Sequence, residues 1–247
     1  MRQCPLVARV ALVVPCYNEA ERLDATAFRH FRLPDDEIEF LFVNDGSTDT
    51  TSEVLATTGA RIVNLEKNSG KAEAVRCGIL AALDRSPEFV GFWDADLATP
   101  LSELPGFMEI MRSRPEIDIV FGARVRLLGR EISRRPSRHY VGRVGATLIS
   151  SSLGLAVYDT QCGAKLFRVS DTVREVFSTP FLSRWIFDVE IIARFVQLWG
   201  RDRVARALYE YPVTQWHDVK GSKVKSRDFM RALSDLWKIH RAYNSRR

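Results

Sequence analysis

The chain has 247 residues, 46% hydrophobic and 27% charged, with a formal net charge of +5. That length and balance suit an ordinary globular protein with room for one large domain or two small ones, and one domain is expected. Cys4, Cys16, Cys77 and Cys162 are scattered without zinc-type pairing and read as reduced thiols in a cytosolic compartment; no uncharged run reaches the roughly 18 residues that would cross a bilayer.

In chain order, apolar β-branched runs at Val10–Val14, Ile38–Val43, Arg61–Leu65, Phe89–Trp93 and Ile117–Phe121 predict buried strands, and helical patterns separate the first four. This alternation predicts a single α/β domain built on a parallel sheet. Asn18 with Glu21 three residues on forms a candidate capping box, and Gly59 is placed to stop a helix over residues 50–58. Pro15-Cys16-Tyr17-Asn18-Glu19, Asn44-Asp45-Gly46-Ser47, Asn68-Ser69-Gly70-Lys71 and Asp94-Ala95-Asp96 each follow directly on a predicted strand. Ligands of open α/β sheets bind outside the carboxyl ends of the strands, so these segments aim carboxylates, amides and one lysine into a single crevice. Each alone is also an ordinary turn or cap; their joint placement points to a site.

Asp94 and Asp96 flank one small residue at a strand end. Two carboxylates that close are unfavourable unless a cation joins them, and a divalent ion completed by phosphate oxygens, Mg²⁺ or Mn²⁺, is the usual solution. Gly70-Lys71 is not an ATPase P-loop, since no glycine lies five residues earlier and Ala72 stands where Ser or Thr is required. The first strand is not followed by a glycine-rich turn, which argues against hydride transfer with a dinucleotide. Arg124, Arg126, Arg130, Arg134, Arg135, Arg138 and Arg143 crowd one segment, an expected contact for something anionic, while no nucleic-acid recognition motif accompanies them. Arg134 and Arg138, four residues apart, share a helix face and can clamp a phosphate. His217 is a candidate further metal ligand, and Phe229, Leu233, Leu236, Trp237 and His240 predict an amphipathic basic helix over 226–247, suited either to packing on the sheet or to a membrane interface.

Together, Val14 to Glu19, Val43 to Asp49, Asn68 to Lys71, Asp94 to Asp96, Asp159 to Phe167, Arg184 to Glu190 and Gly221 to Val224 resemble family 2 glycosyltransferases of the GT-A fold. The resemblance is to the branch of dolichyl-phosphate β-glucosyltransferase and mannose synthase, and it spans residues 8–225. It implies a metal-dependent, inverting hexose transfer from a nucleotide-diphosphate sugar to a polyprenyl or dolichyl phosphate, by a GT-A domain over 1–225. Pro15, Tyr17, Asn18, Glu19, Asp45, Lys71 and Asp94 would surround the donor nucleotide, and Asp94 and Asp96 would hold the metal. Arg124, Asp159 and Asp188 would serve the chemistry, with Arg134, Arg138, Lys165, Ser222 and Lys223 on the acceptor phosphate; Asp159 or Asp188 could instead hold Lys165 or a nearby arginine in a structural ion pair. Mannose synthases of the branch carry a glutamine where Ala98 stands, so the resemblance favours UDP-glucose. It further implies peripheral contact with the cytoplasmic face of a membrane. A soluble hydroxyl acceptor, or a non-catalytic nucleotide-sugar-binding module on the same fold, are the alternative readings.

Overall fold

The structure, a computed structural model, describes residues 8–133, 136–217 and 226–244, with the side chains of 133–144, 226–230 and 244 set aside. Along the chain run β1 (Arg9–Cys16), α1 (Ala25–His30), β2 (Glu37–Asn44), α2 (Thr51–Ala56), β3 (Arg61–Asn64), α3 (Lys71–Leu83), β4 (Phe89–Trp93), α4 (Leu104–Ser113) and β5 (Ile119–Ala123). They are followed by β6 (Glu131–Ser133), α5 (Pro136–Leu153), β7 (Ala164–Arg168), α6 (Asp171–Ser178), α7 (Phe187–Trp199), α8 (Arg201–Ala207), β8 (Leu208–Pro212), β9 (Gln215–His217) and α9 (Ser226–Asn244). The main sheet has the order β3-β2-β1-β4-β7-β5-β8, and β6 pairs with β9 in a separate ribbon. All neighbours in the main sheet are parallel except β7, which runs antiparallel to both β4 and β5. The expected mostly parallel α/β architecture is borne out.

The strands are apolar on both faces because helices cover both. In β1, Ala11 and Val13 enter the cluster shared with α3, α6 and α7, whereas Val10, Leu12, Val14 and Cys16 enter the one shared with α1 and α4. Helix α3 lies directly on β1 and β2. A Cβ on its Gly78 would stand 2.3 Å from Val13 Cγ1 and 2.7 Å from Val43 Cγ2, so hydrogen is the only side chain that permits the approach. This contact sets how Lys71, at the first position of α3, meets the strand ends.

Two local expectations change. No capping box forms at Asn18: its Oδ1 accepts from the Thr48 amide at 2.9 Å and its φ is +52°, while α1 begins later and is capped by Asp24 accepting from the Ala27 amide. The expected apolar face of the last helix is rotated. Ala232, Leu236, Ile239 and Tyr243 pack on the cluster that contains α7, whereas Trp237 is 61% exposed with the Arg241 guanidinium 5.5 Å from its ring centre. Among the described residues no helix is long and apolar enough to cross a membrane.

Replacing Gly78 with alanine overpacks the α3 contact. The expected loss is about 1–3 kcal/mol in urea unfolding, with an unchanged far-UV circular dichroism spectrum. A variant as stable as the wild type would contradict this packing.

Candidate active site

Trp93 closes β4 fully buried, and its indole N–H donates to the Thr99 carbonyl at 2.7 Å, stapling the turn that carries the two carboxylates. Inside the turn Leu97 takes φ +50°, a costly conformation for a residue with a Cβ, which the surrounding bonds impose. The Asp94 amide donates to the Gly163 carbonyl at 3.0 Å, and its carboxylate lies over that glycine so closely that a Cβ there would be 1.8 Å from Oδ2. Asp94 Oδ1 accepts from the Lys71 ammonium. Asp96 Oδ1 accepts from the Ala98 amide at 3.1 Å, and its Oδ2 is 3.9 Å from the Arg22 guanidinium. Burial and the neighbouring Asp94 push the Asp96 carboxyl above its ordinary range, against the pull of the Ala98 amide, Arg22 and Lys71.

Burial would lower the Lys71 ammonium, but Asp94, Asp188 and Asp96 outweigh it and hold it above its ordinary value. The residue stays charged at neutral pH. Among the described residues no third His, Cys, Asp or Glu joins Asp94 and Asp96 in a metal-binding group. His217, the further candidate ligand, is not gathered with them into such a group; its amide donates to the Ala98 carbonyl at 3.0 Å. Two carboxylates whose proximity disfavours full ionisation, with no further side-chain ligand, fit a hard cation that takes its remaining ligands from phosphate and water.

The other donor-side candidates line the ends of β1 and β2. Pro15 is half-buried opposite Val43, and Tyr17 follows it, half-buried. The Asn18 amide donates to Ser47 Oγ at 3.0 Å, the Glu19 amide to Thr51 Oγ1 at 2.8 Å, and the Glu19 carboxylate pairs with Arg22. Asp45, also buried, accepts at 2.7 Å from both the Ser69 and the Gly70 amides, so it shapes the loop ahead of Lys71.

On the other side of β7, Asp159 accepts from the Arg124 amide at 3.0 Å and from its Nε and Nη2 at 2.7 and 2.8 Å, a bidentate pair with both partners largely buried. The Arg124 guanidinium also lies 5.3 Å from the centre of the Trp216 ring. Lys165 requires a correction. It was expected on the acceptor phosphate, but it is 0% exposed, bonded to Asp188 at 2.6 Å and to the Cys162 carbonyl at 2.5 Å, with its ammonium 4.6 Å from the centre of the Phe121 ring. Its ammonium is enclosed between the Phe92 and Phe121 rings and Asp188 of α7, with no surface left for an acceptor phosphate. Burial pushes the Asp188 carboxyl up, although Lys165 and Lys71 pull the other way. Arg134, Ser222, Lys223 and the side chain of Arg138 lie outside the described residues.

The model of glycosyl transferase family 2 matches residues 11–173, which carry the two carboxylates, Lys71 and Arg124. The chain belongs to this family. A dolichyl-phosphate β-glucosyltransferase of Trichomonas vaginalis is 32% identical over 95% of the chain and 72% of its own length, and the human protein of that name is 30% identical over 87% and 69%. Among solved structures, glucosyl-3-phosphoglycerate synthase of Mycobacterium tuberculosis, in complex with Mn²⁺, UDP and its product, superposes with a TM-score of 0.65 at 22% identity, covering 94% of this chain and 80% of that one. That likeness supports the GT-A fold.

In this family 2 glycosyltransferase two further residues brace the loops of the candidate site, neither of them assigned a role from the sequence. Arg184 donates to the Asn68 carbonyl at 3.2 Å and to Asn68 Oδ1 at 3.0 Å, gripping from outside the loop that Asp45 holds from within. Glu210 on β8 accepts from the amides of Tyr158 and Asp159, fixing the carboxylate that holds Arg124. Neither residue stands in a motif that a strand-end pattern reveals, because both act across long stretches of chain.

The Lys165–Asp188 pair yields a direct test. Lys165→Met leaves a carboxyl buried without its cation and is expected to cost about 3–5 kcal/mol in chemical unfolding, most of it regained in Lys165→Met/Asp188→Leu. If Lys165→Met leaves stability unchanged, the buried-pair assignment is wrong.

Proposed function

We propose that the protein transfers glucose from UDP-glucose to a dolichyl or related polyprenyl phosphate, inverting the anomeric centre, with Mg²⁺ or Mn²⁺ held by Asp94 and Asp96. One observation carries the choice of acceptor. The family model ends at residue 173, but the similarity to the dolichyl-phosphate β-glucosyltransferase from Trichomonas vaginalis runs over 95% of the chain, into the later residues that include Arg184, Asp188 and Glu210. The metal is supported by the crowded carboxylates and by the Mn²⁺ and UDP bound to the mycobacterial enzyme of the same fold. Ala98, where a mannose-type glutamine is absent, supports glucose.

In this reading a bound divalent cation supplies Lewis-acid charge to the departing diphosphate. The chain does the rest. Lys71, charged and placed at the N-terminus of α3, meets the phosphate oxygens of the donor, helped by the helix dipole. An acceptor phosphate is ionised near neutrality and is already a nucleophile, so no strong base is needed. Asp159, with both oxygens on Arg124, serves as the support that keeps that guanidinium aimed and charged, a pre-set cation that needs no reorganisation as charge develops. Asp188, buried against Lys165, holds charge behind Lys71 and takes no part as a base. Arg134, Arg138, Ser222 and Lys223 remain the proposed holders of the acceptor phosphate. The lipid acceptor stays in the bilayer, since withdrawing each CH₂ into water costs about 0.8 kcal/mol, so the protein works peripherally at the cytoplasmic face of a membrane.

Asp96→Ala is expected to abolish metal-dependent transfer from UDP-glucose to a polyprenyl phosphate while retaining the wild-type unfolding profile. Full activity in that variant would remove Asp96 from the metal site. Titration calorimetry with Mn²⁺ present is expected to show UDP binding at least about tenfold more tightly than GDP, a difference near 1.4 kcal/mol. Tighter GDP binding would turn the donor assignment toward a mannosyl nucleotide.

A further inference from the structure

Between β5 and β6 the chain makes a short excursion, Arg124 to Arg130, whose tip closes when the Arg130 amide donates to the Leu127 carbonyl at 3.2 Å. The tip carries Leu127 at 51% exposure and Leu128 at 104%, the latter as open to solvent as a side chain can be. Arg126 is exposed and Arg130 is half-buried on either side, with Gly129 at φ +79° making the turn. Two leucines placed so expose apolar surface that is unfavourable in water, Leu128 all of it and Leu127 about half.

We propose that this tip is a wedge that enters an anionic bilayer surface and seats the acceptor side of the crevice against it. The inference rests on the lipid-acceptor reading given above. Three observations select a membrane over a protein partner. The apolar surface is a convex tip of two side chains, far below the about 1,000 Å² that a specific protein interface buries. The charges next to the leucines, Arg126 and Arg130, are basic, which matches anionic headgroups around a pair of inserted leucines, and the exposed Glu131 comes only as β6 begins. The loop is also continuous with the chemistry. It leaves from Arg124, held by Asp159, and returns into β6, whose Glu131 amide donates to the Thr214 carbonyl at 2.9 Å and whose Ser133 lies opposite His217 on β9. The amide of His217 in turn bonds the Ala98 carbonyl, two residues from Asp96. A wedge seated in the headgroup region therefore holds the crevice mouth where a lipid phosphate emerges.

The test uses the full chain and phosphatidylcholine vesicles with and without phosphatidylserine, in low and high salt, without any polyprenyl phosphate. Wild type, Leu127→Ser/Leu128→Ser and Trp237→Ser are compared by co-sedimentation, and each is assayed for transfer to water-soluble citronellyl phosphate. The expected result is binding that needs phosphatidylserine, weakens in high salt and falls about tenfold or more in the double leucine variant, with its unfolding midpoint and its transfer to citronellyl phosphate unchanged. Equal vesicle binding by the double leucine variant and the wild type overturns the wedge, as does loss of binding in Trp237→Ser alone or no vesicle binding by any form. Leucine-dependent vesicle binding together with failure to glucosylate any prenyl phosphate keeps the wedge and defeats the acceptor reading instead.

Discussion

Everything at the crevice is arranged around the cost of placing two carboxylates one residue apart at the end of a buried strand. Asp94 and Asp96 raise each other's energy, and the fold meets that cost with cations and amides rather than by separating them: Lys71 on one oxygen, Arg22 at the edge, the Ala98 amide on another. The remainder of the turn is shaped to allow it. Gly163 leaves room for the Asp94 carboxylate, Leu97 accepts a left-handed backbone, and the Trp93 indole fastens the far end at Thr99. Such stored strain is stable only because the flanking strand and helix determine it from both sides.

A second network binds the C-terminal helix into this arrangement. Glu190 and Arg194, buried on α7, pair with each other. Arg194 also donates to the carbonyls of Val176, Thr179 and Pro180, while Tyr243 of α9 donates to Glu190 at 2.9 Å. Ser183 shapes the turn ahead of α7 by accepting from the amides of Trp185 and Ile186, and donates to Asp235 of α9 at 2.8 Å. The next residue is Arg184, which grips Asn68 ahead of Lys71. Helix α9 is thus joined by hydrogen bonds to the loop that presents the lysine, which explains why its apolar face is spent on α7 and its tryptophan is left outside.

Much of this was legible from the chain alone, because the signals are local. A strand shows itself by a short apolar run, and the residues that follow it must lie at the strand's carboxyl end, so Asn18, Asp45, Lys71 and Asp94 could be gathered into one crevice before any coordinates. What failed did so where two local options competed or where the decisive partner was remote. Asn18 could cap a helix or tie two loops, and the Thr48 amide won. Lys165 was expected on the acceptor phosphate, with an ion pair to Asp188 as the alternative; the pairing of β7 with β4 and β5 puts it on the face it shares with Phe167, against that carboxylate twenty-three residues later. Arg184 opened a recognised motif that gave no hint of its remote partner Asn68, and Glu210 had no pattern to betray it at all.

The reversed strand β7 has a geometric consequence. It stands between β4, which ends in the carboxylates, and β5, which ends in Arg124, and it is hydrogen-bonded to both. Adjacent strands are spaced about 4.8 Å apart, so the two strand ends are held about 10 Å from each other by the backbone itself. The span between the carboxylate end and the Arg124 end of the site is therefore ruled by main-chain bonds. Side-chain substitutions can change what binds at either end, but the ruler between them keeps its length.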